Sequence, residues 1–247
     1  MNKENNKSTS NARKTIHRAD TRGYADHGWL KTYHTFSFAD YYDPSRIRFG
    51  LLRVLNDDIV EPGMGFGTHP HDNMEIVTIP LSGALEHKDS TGGGGIIYTG
   101  DVQVMSAGSG LTHSEFNPSD TERVNLLQIW VYPKLRDVKP RYDQKTFDPK
   151  DRINKIHTLV SPIKNNGTLS LNQDTYFSLA NLEKNKELVY NLNTKGNGVY
   201  IFLIDGRLQT SGEELNKRDG IGIENSDSVT VKALENSEIL FIEVPMN

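Results

Sequence analysis

The sequence predicts an all-β fold of two tandem β-barrel domains, and three features predict it. Short apolar runs rich in β-branched residues alternate with Gly, Asp, Pro and Asn punctuation along most of the chain. Between Phe49 and Pro133 no amphipathic helical period is sustained over three turns. The two halves also carry a similar pattern: the apolar run Glu75–Leu81 leads to Gly83-Ala84-Leu85, and Val199–Ile204 leads to Gly206-Arg207-Leu208. Gly100-Asp101 and Asp219-Gly220 follow some fifteen residues later in each, so a duplicated unit is expected.

The elements follow in order. Residues 1–14 are dominated by Asn, Lys and Ser and read as a disordered N-terminal arm, too poor in apolar surface to offset its ordering entropy. Residues 15–133 form the first domain, with candidate strands at Gly50–Asn56, Met74–Leu81, Ile96–Tyr98, Val102–Met105 and Val124–Tyr132. Residues 134–155, between Pro133 and Lys155, carry Pro140 and Pro149 among many charges and read as a connector crossing the surface. Residues 156–247 form the second domain, with candidate strands at His157–Val160, Thr168–Leu171, Thr175–Leu182, Val199–Ile204, Ser228–Val231 and Ile239–Val244.

Composition narrows the function. A net charge of -4 provides no basic field for nucleic acid or anionic lipid. No apolar run is long enough to span a bilayer, and Met1–Lys14 lacks the apolar core of a signal peptide, so the expected compartment is the cytoplasm. With no cysteine, the chain has no disulfide, thiolate ligand or Cys nucleophile, and any metal must be held by His, carboxylate or water.

The histidines are unevenly placed. In an extended segment, residues two apart face one side, so His69 and His71 can present both imidazoles to one point inside a barrel. His113 and Glu115 share a face by the same rule, after the glycine-rich turn Ala107–Gly110. Three neutral imidazoles and a carboxylate suit iron(II), manganese, nickel, copper or zinc, with coordination positions left open. His34 reads first as a buried histidine bonded to backbone and second as the lining of a substrate mouth, and His87 as a solvated or hydrogen-bonded residue of Glu86–Ser90. His17, His27 and His157 have no ligand-spaced companion. Gly92–Gly95 lacks the Lys and helix signal of a phosphate cradle and reads as a hairpin turn or flexible rim. Phe36, Phe38, Met64, Phe66, Met105 and Phe116 are candidates for cavity lining or ordinary core.

Gly63, His69-Pro70-His71, Glu75 and Gly83 together resemble the first motif of the cupin superfamily, with one extra residue before the last glycine. Gly110, His113 and Asn117 are similar to the end of the second motif, though Ser106 or Gly108 stands where proline is usual. More specifically, His34-Thr35-Phe36-Ser37-Phe38, Leu52-Arg53-Val54, His69-Pro70-His71, Met74-Glu75-Ile76-Val77-Thr78, Glu86-His87-Lys88-Asp89-Ser90, Gly100-Asp101-Val102-Gln103, His113-Ser114-Glu115 and Gln128-Ile129-Trp130 jointly resemble the pirin family over most of residues 30–133. The resemblance implies two tandem cupin (jelly-roll-like) barrels, with one divalent transition metal, first of all Fe(II), in the N-terminal barrel. The pirin ligands fall on His69, His71, His113 and Glu115. The general cupin pattern nominates Glu75 as the carboxylate instead; Glu115 is preferred because His-Ser-Glu is the pirin form.

The second half serves as a control. Matching Gly206 to Gly83 sets Leu192 and Thr194 opposite His69 and His71, and matching Gly220 to Gly100 sets Ala233 and Glu235 opposite His113 and Glu115. No imidazole is left, so the second domain is expected to be a metal-free partner. The resemblance further implies a dioxygenase that opens flavonols such as quercetin with O2, with Glu115 as ligand and as the base taking the substrate's proton. Its expected partners are a small phenolic substrate and O2, without nucleic acid or membrane, in a monomer. A non-enzymatic metal-binding regulator acting through a protein partner is the alternative, and a bicupin using its metal only as a folding staple is a third.

Overall fold

The computed structural model describes residues 12–163 and 167–247; the proposed arm at 1–14 lies mostly outside them. The fold is all-β, as expected. The described residues of the first half form β1 (Arg13–His17), β2 (Gly23–Asp26), β3 (Leu30–His34), β4 (Leu52–Val60), β5 (Gly65–His71), β6 (Glu75–Ser82), β7 (Ala84–Asp89), β8 (Gly94–Tyr98), β9 (Asp101–Ser106), β10 (Leu111–Phe116), β11 (Val124–Val131) and β12 (Arg141–Thr146). The second half forms β13 (His157–Ser161), β14 (Leu169–Ser170), β15 (Tyr176–Leu182), β16 (Glu187–Asn191), β17 (Asn197–Asp205), β18 (Arg207–Thr210), β19 (Glu213–Asn216), β20 (Gly220–Glu224), β21 (Ser228–Ala233) and β22 (Ser237–Pro245).

Each half is a pair of facing sheets. The first has a seven-stranded sheet, β12-β9-β6-β11-β4-β3-β2, and a four-stranded sheet, β5-β10-β7-β8. The second repeats the order as β1-β20-β17-β22-β15-β13-β14 and β16-β21-β18-β19. Both expected barrels are therefore present in the same topology, but their strands do not follow the expected boundaries. Arg13 and Lys14, assigned to the arm, begin β1, which pairs with β20 of the second barrel. Residues 141–146, assigned to the connector, form β12 and extend the first barrel beside β9. Each barrel thus ends on a strand from outside its own block, which covers an otherwise open edge.

The large sheets pack face to face, which explains why their central strands read as continuous apolar runs: both faces are buried. Val77, Ile79, Leu127 and Ile129 from one sheet meet Phe177, Phe202, Leu240 and Ile242 from the other in a single cluster. The opposite faces line the barrel interiors, and here the two halves diverge. The second barrel is filled mostly with hydrocarbon, including Val199, Ile201, Leu203, Val229, Val231 and Phe241, and its buried Glu243 is satisfied by Tyr190 and Asn193. In the first, small apolar clusters around Leu126 and Val60 and around Ile76 and Met105 close the ends. Between them buried polar residues come inward, among them Asn56, Asp58, Thr78, Gln103 and Glu115. Among the described residues no helix is long and apolar enough to cross a membrane.

Candidate metal centre

Strands β5 and β10 build the site. Their antiparallel register sets His113 opposite His69 and Leu111 opposite His71, so the three imidazoles converge on the inner face. A bulge between His113 and Glu115 places Glu115 against Phe66 and re-aims the carboxylate. The ring centroids lie 4.4 Å apart for His69–His113, 4.8 Å for His71–His113 and 4.9 Å for His69–His71. The candidate ligand atoms of these three residues fall within 4.8 Å of one another. A second such group consists of His87, His113 and Glu115. His113 belongs to both, while Glu115 lies beside His113 rather than among all three histidines.

The donor set fits a transition metal. Burial, reinforced by neighbouring histidines, pushes His113 down to about 3 and, with His69 beside it, His71 to about 4. Both rings are neutral at pH 7 and keep a lone pair for coordination. Nδ1 of His69 donates to the Gly67 carbonyl at 2.8 Å, which leaves Nε2 as its free ligand atom. Nε2 of His113 and Oε1 of Glu115 are buried with no hydrogen-bond partner among the described residues. Such orphaned atoms are costly unless something not made of protein completes them.

Glu115 is held by a directed chain: Thr78 Oγ1 donates to Gln128 Oε1 at 2.9 Å, which turns Gln128 Nε2 to donate to Glu115 Oε2 at 2.9 Å. Burial pushes the Glu115 carboxyl up to about 7, with Gln128 opposing and the charge of Asp58 adding to the rise. Asp58 is itself raised to about 7 by burial. Glu75 stands elsewhere. It shares the outer face of β6 with Val77 and Ile79, and its Oε2 accepts from Ser106 Oγ at 2.7 Å and from the Asn172 amide at 3.0 Å. It ties the two barrels together, as a strand residue with its own partners.

A cavity of about 500 Å³ opens beside the centre, lined by Trp29, His34, Phe38, Tyr41, Asp58 and Phe66 among others. Phe66 lies 6.3 Å from the His69 ring, and Phe38 packs edge-on against Trp130, which packs edge-on against His71. Of the six candidate lining residues, only Phe38 and Phe66 line this cavity. Phe36 belongs to the core between the barrels, Met105 to an end cluster, and Met64 and Phe116 are exposed. His34 does line it, but bonds the side chain of Asn56 at 3.0 Å rather than backbone. The sequence reading missed Asn56, Asp58, Thr78 and Gln128; their signal is a polar side chain at the inward, period-two positions of otherwise apolar strands. His87 is fully buried, not solvated, and bonds Asp89 and His113.

The repeat also corrects the register of the control. Glu115 pairs with His87, four residues after Gly83; the residue four after Gly206 is Thr210, and it pairs with Val231. Val229 and Val231 therefore stand where His113 and Glu115 do, and Tyr190, paired with Val229, stands for His69. The loops between strands differ in length, so matching by a single glycine slipped the frame. The replacements are hydrocarbon and phenol.

Family models for Pirin and for the quercetinase C-terminal cupin domain match residues 15–131 and 158–244. A protein of Escherichia coli named quercetin 2,3-dioxygenase is 40% identical over 93% of this chain and 98% of its own length. A pirin-like protein of Caulobacter vibrioides is 41% identical over 91% of this chain and 96% of its own. The crystal structure of the E. coli bacterial pirin YhhW in complex with nickel(II) superposes with a TM-score of 0.89 at 39% identity, covering 94% of this chain and 99% of that one. With the duplicated barrel and the histidine cluster already in place, these matches make the chain a member of the pirin family.

Proposed function

We propose that this protein is a metal-dependent dioxygenase acting on a flavonol or a similar enol-bearing aromatic, with its metal held by His69, His71, His113 and Glu115. The observation that carries the reading is the convergence of three imidazoles beside a buried carboxylate, next to an aromatic cavity whose Phe66 lies 6.3 Å from the His69 ring. The names of its relatives support the reaction class, and the nickel complex of one of them supports a divalent transition metal, for which Fe(II) is our first choice. When bound, such a metal supplies Lewis acidity toward a substrate hydroxyl and a path for electrons to O2.

The chain's own residues do the rest. Trp29, Phe38, Tyr41 and Phe66 offer flat apolar walls to a planar aromatic. Glu115, raised towards neutrality and steered by Gln128, accepts the proton of the substrate's hydroxyl at its unpartnered Oε1.

The test is oxygen uptake by iron-loaded protein with quercetin. Wild type should consume oxygen, and a His69→Ala, His71→Ala double variant should lose both metal and uptake. Turnover that persists in the metal-free variant would overturn the mechanism, and bound metal without any turnover would select the regulatory reading.

A further inference from the structure

Beyond the four proposed ligands, the buried face behind His113 holds a hydrogen-bond chain whose direction is fixed at one end. Asp89 closes β7, and its Oδ1 accepts from the Thr91 amide at 2.8 Å, the Thr91 hydroxyl at 2.6 Å and the Gly93 amide at 3.0 Å. Its Oδ2 faces His87 Nε2 at 3.1 Å. A carboxylate only accepts, so His87 carries its proton on Nε2 and presents a bare Nδ1. That Nδ1 lies 3.3 Å from Nδ1 of His113. One proton must lie between the two nitrogens, and His113 is the residue that can supply it.

The alternative polarity is costly. A proton moved to Nε2 of His113 would be a buried donor with no acceptor among the described residues, which destabilises that tautomer. We propose that His87 and Asp89 are a positioning pair that fixes the proton of His113 on Nδ1 and keeps its Nε2 lone pair aimed at the metal position. This rests on the reading of His113 as a ligand.

Two features of the surroundings serve the same end. Tyr142 of β12 stacks on the His87 ring at 4.7 Å and 24°, which holds the imidazole in the plane that both bonds require. A Cβ on Gly93 would meet Asp89 Oδ2 at 2.5 Å and Tyr142 Cβ at 3.0 Å. The glycine run therefore lets the loop close onto the carboxylate, and the strand from the connector braces the ring.

Amide substitutions test the direction. In Asp89→Asn the three donors of the loop keep the amide oxygen, so its NH2 faces His87 and reverses the chain. We expect nickel(II) affinity to fall about 10–100-fold and the melting temperature of the metal-free protein to drop while its fold is kept. In the metal-free protein, ring ¹⁵N NMR should show the His113 proton moving from Nδ1 to Nε2. His87→Gln can donate to Asp89 and accept from His113, so it should keep affinity near wild type, whereas His87→Leu should weaken binding as Asp89→Asn does. An unchanged His113 tautomer and affinity in Asp89→Asn would overturn the proposal. Loss of metal in His87→Gln as complete as in His113→Ala would also overturn it, by making His87 a direct ligand. If wild type binds no nickel, the ligand reading fails, and the tautomer of metal-free protein still decides on the pair.

Discussion

Glu115 and Glu75 are both buried carboxyls in the first barrel, and their surroundings give them different work. Glu115 faces the interior, raised to about 7 by burial and met by a single amide donor. Glu75 faces the second barrel, where Ser106 and Asn172 hold it; burial raises it too. Substitution should separate them. Glu115→Gln should weaken metal binding and, at saturating metal, lower the turnover rate by about 10²–10⁴-fold, the contribution typical of a positioned base. Glu75→Ala should leave turnover intact and cost about 1–3 kcal/mol in urea unfolding, because two donors lose their buried acceptor. Activity lost through Glu75 at full metal occupancy would contradict this division.

At the scale of elements, the strands that the sequence made legible include those with both faces buried, such as β6, β11, β17 and β22, in which apolar residues predominate. Most of the edge strands were not legible, although β8 and β14 overlap the expected Ile96–Tyr98 and Thr168–Leu171. β12 is mostly polar, Arg141-Tyr142-Asp143-Gln144-Lys145-Thr146, and lies between prolines because an edge needs few apolar contacts. β5 carries glycines and Pro70 for the same reason, so the ligand pair His69 and His71 was readable by its spacing while the strand that holds it looked like a turn. Asp58, Gln128 and His87 escaped because nothing local marks a polar strand residue as facing the interior; only the closed barrel buries them together. β1 escaped because its partner, β20, lies some 200 residues away in the chain. That docking carries a pH signature. His17, at the end of β1, bonds the Tyr200 hydroxyl at 2.8 Å, and burial, with Arg46 adding and Asp43 opposing, lowers it from 6.5 to about 4. A histidine lowered on folding contributes stability that is fully present above pH 6.5 and is lost as pH falls towards 4. Between pH 7 and pH 5 this amounts to about 2 kcal/mol. Urea midpoints for His17→Gln should therefore fall less steeply over that interval than those of wild type; equal slopes would contradict the assignment.

For the whole molecule, the duplication yields two barrels of one topology with opposite interiors. The second is packed mostly with hydrocarbon, and its outer face joins that of the first in one core, so it stiffens the sheet on which Gln128 and Asp58 stand. The first keeps a polar interior, which is stable only if something satisfies His113 and Glu115. The central claim is that one metal ion satisfies them. Anomalous diffraction from crystals of the nickel- or iron-loaded protein tests it most directly. The account predicts one peak per chain, in the first barrel, bound by Nε2 of His69, His71 and His113 with Glu115 turned toward it. A peak between His87 and His113 that leaves His69 and His71 free, or a peak in the second barrel, would contradict it.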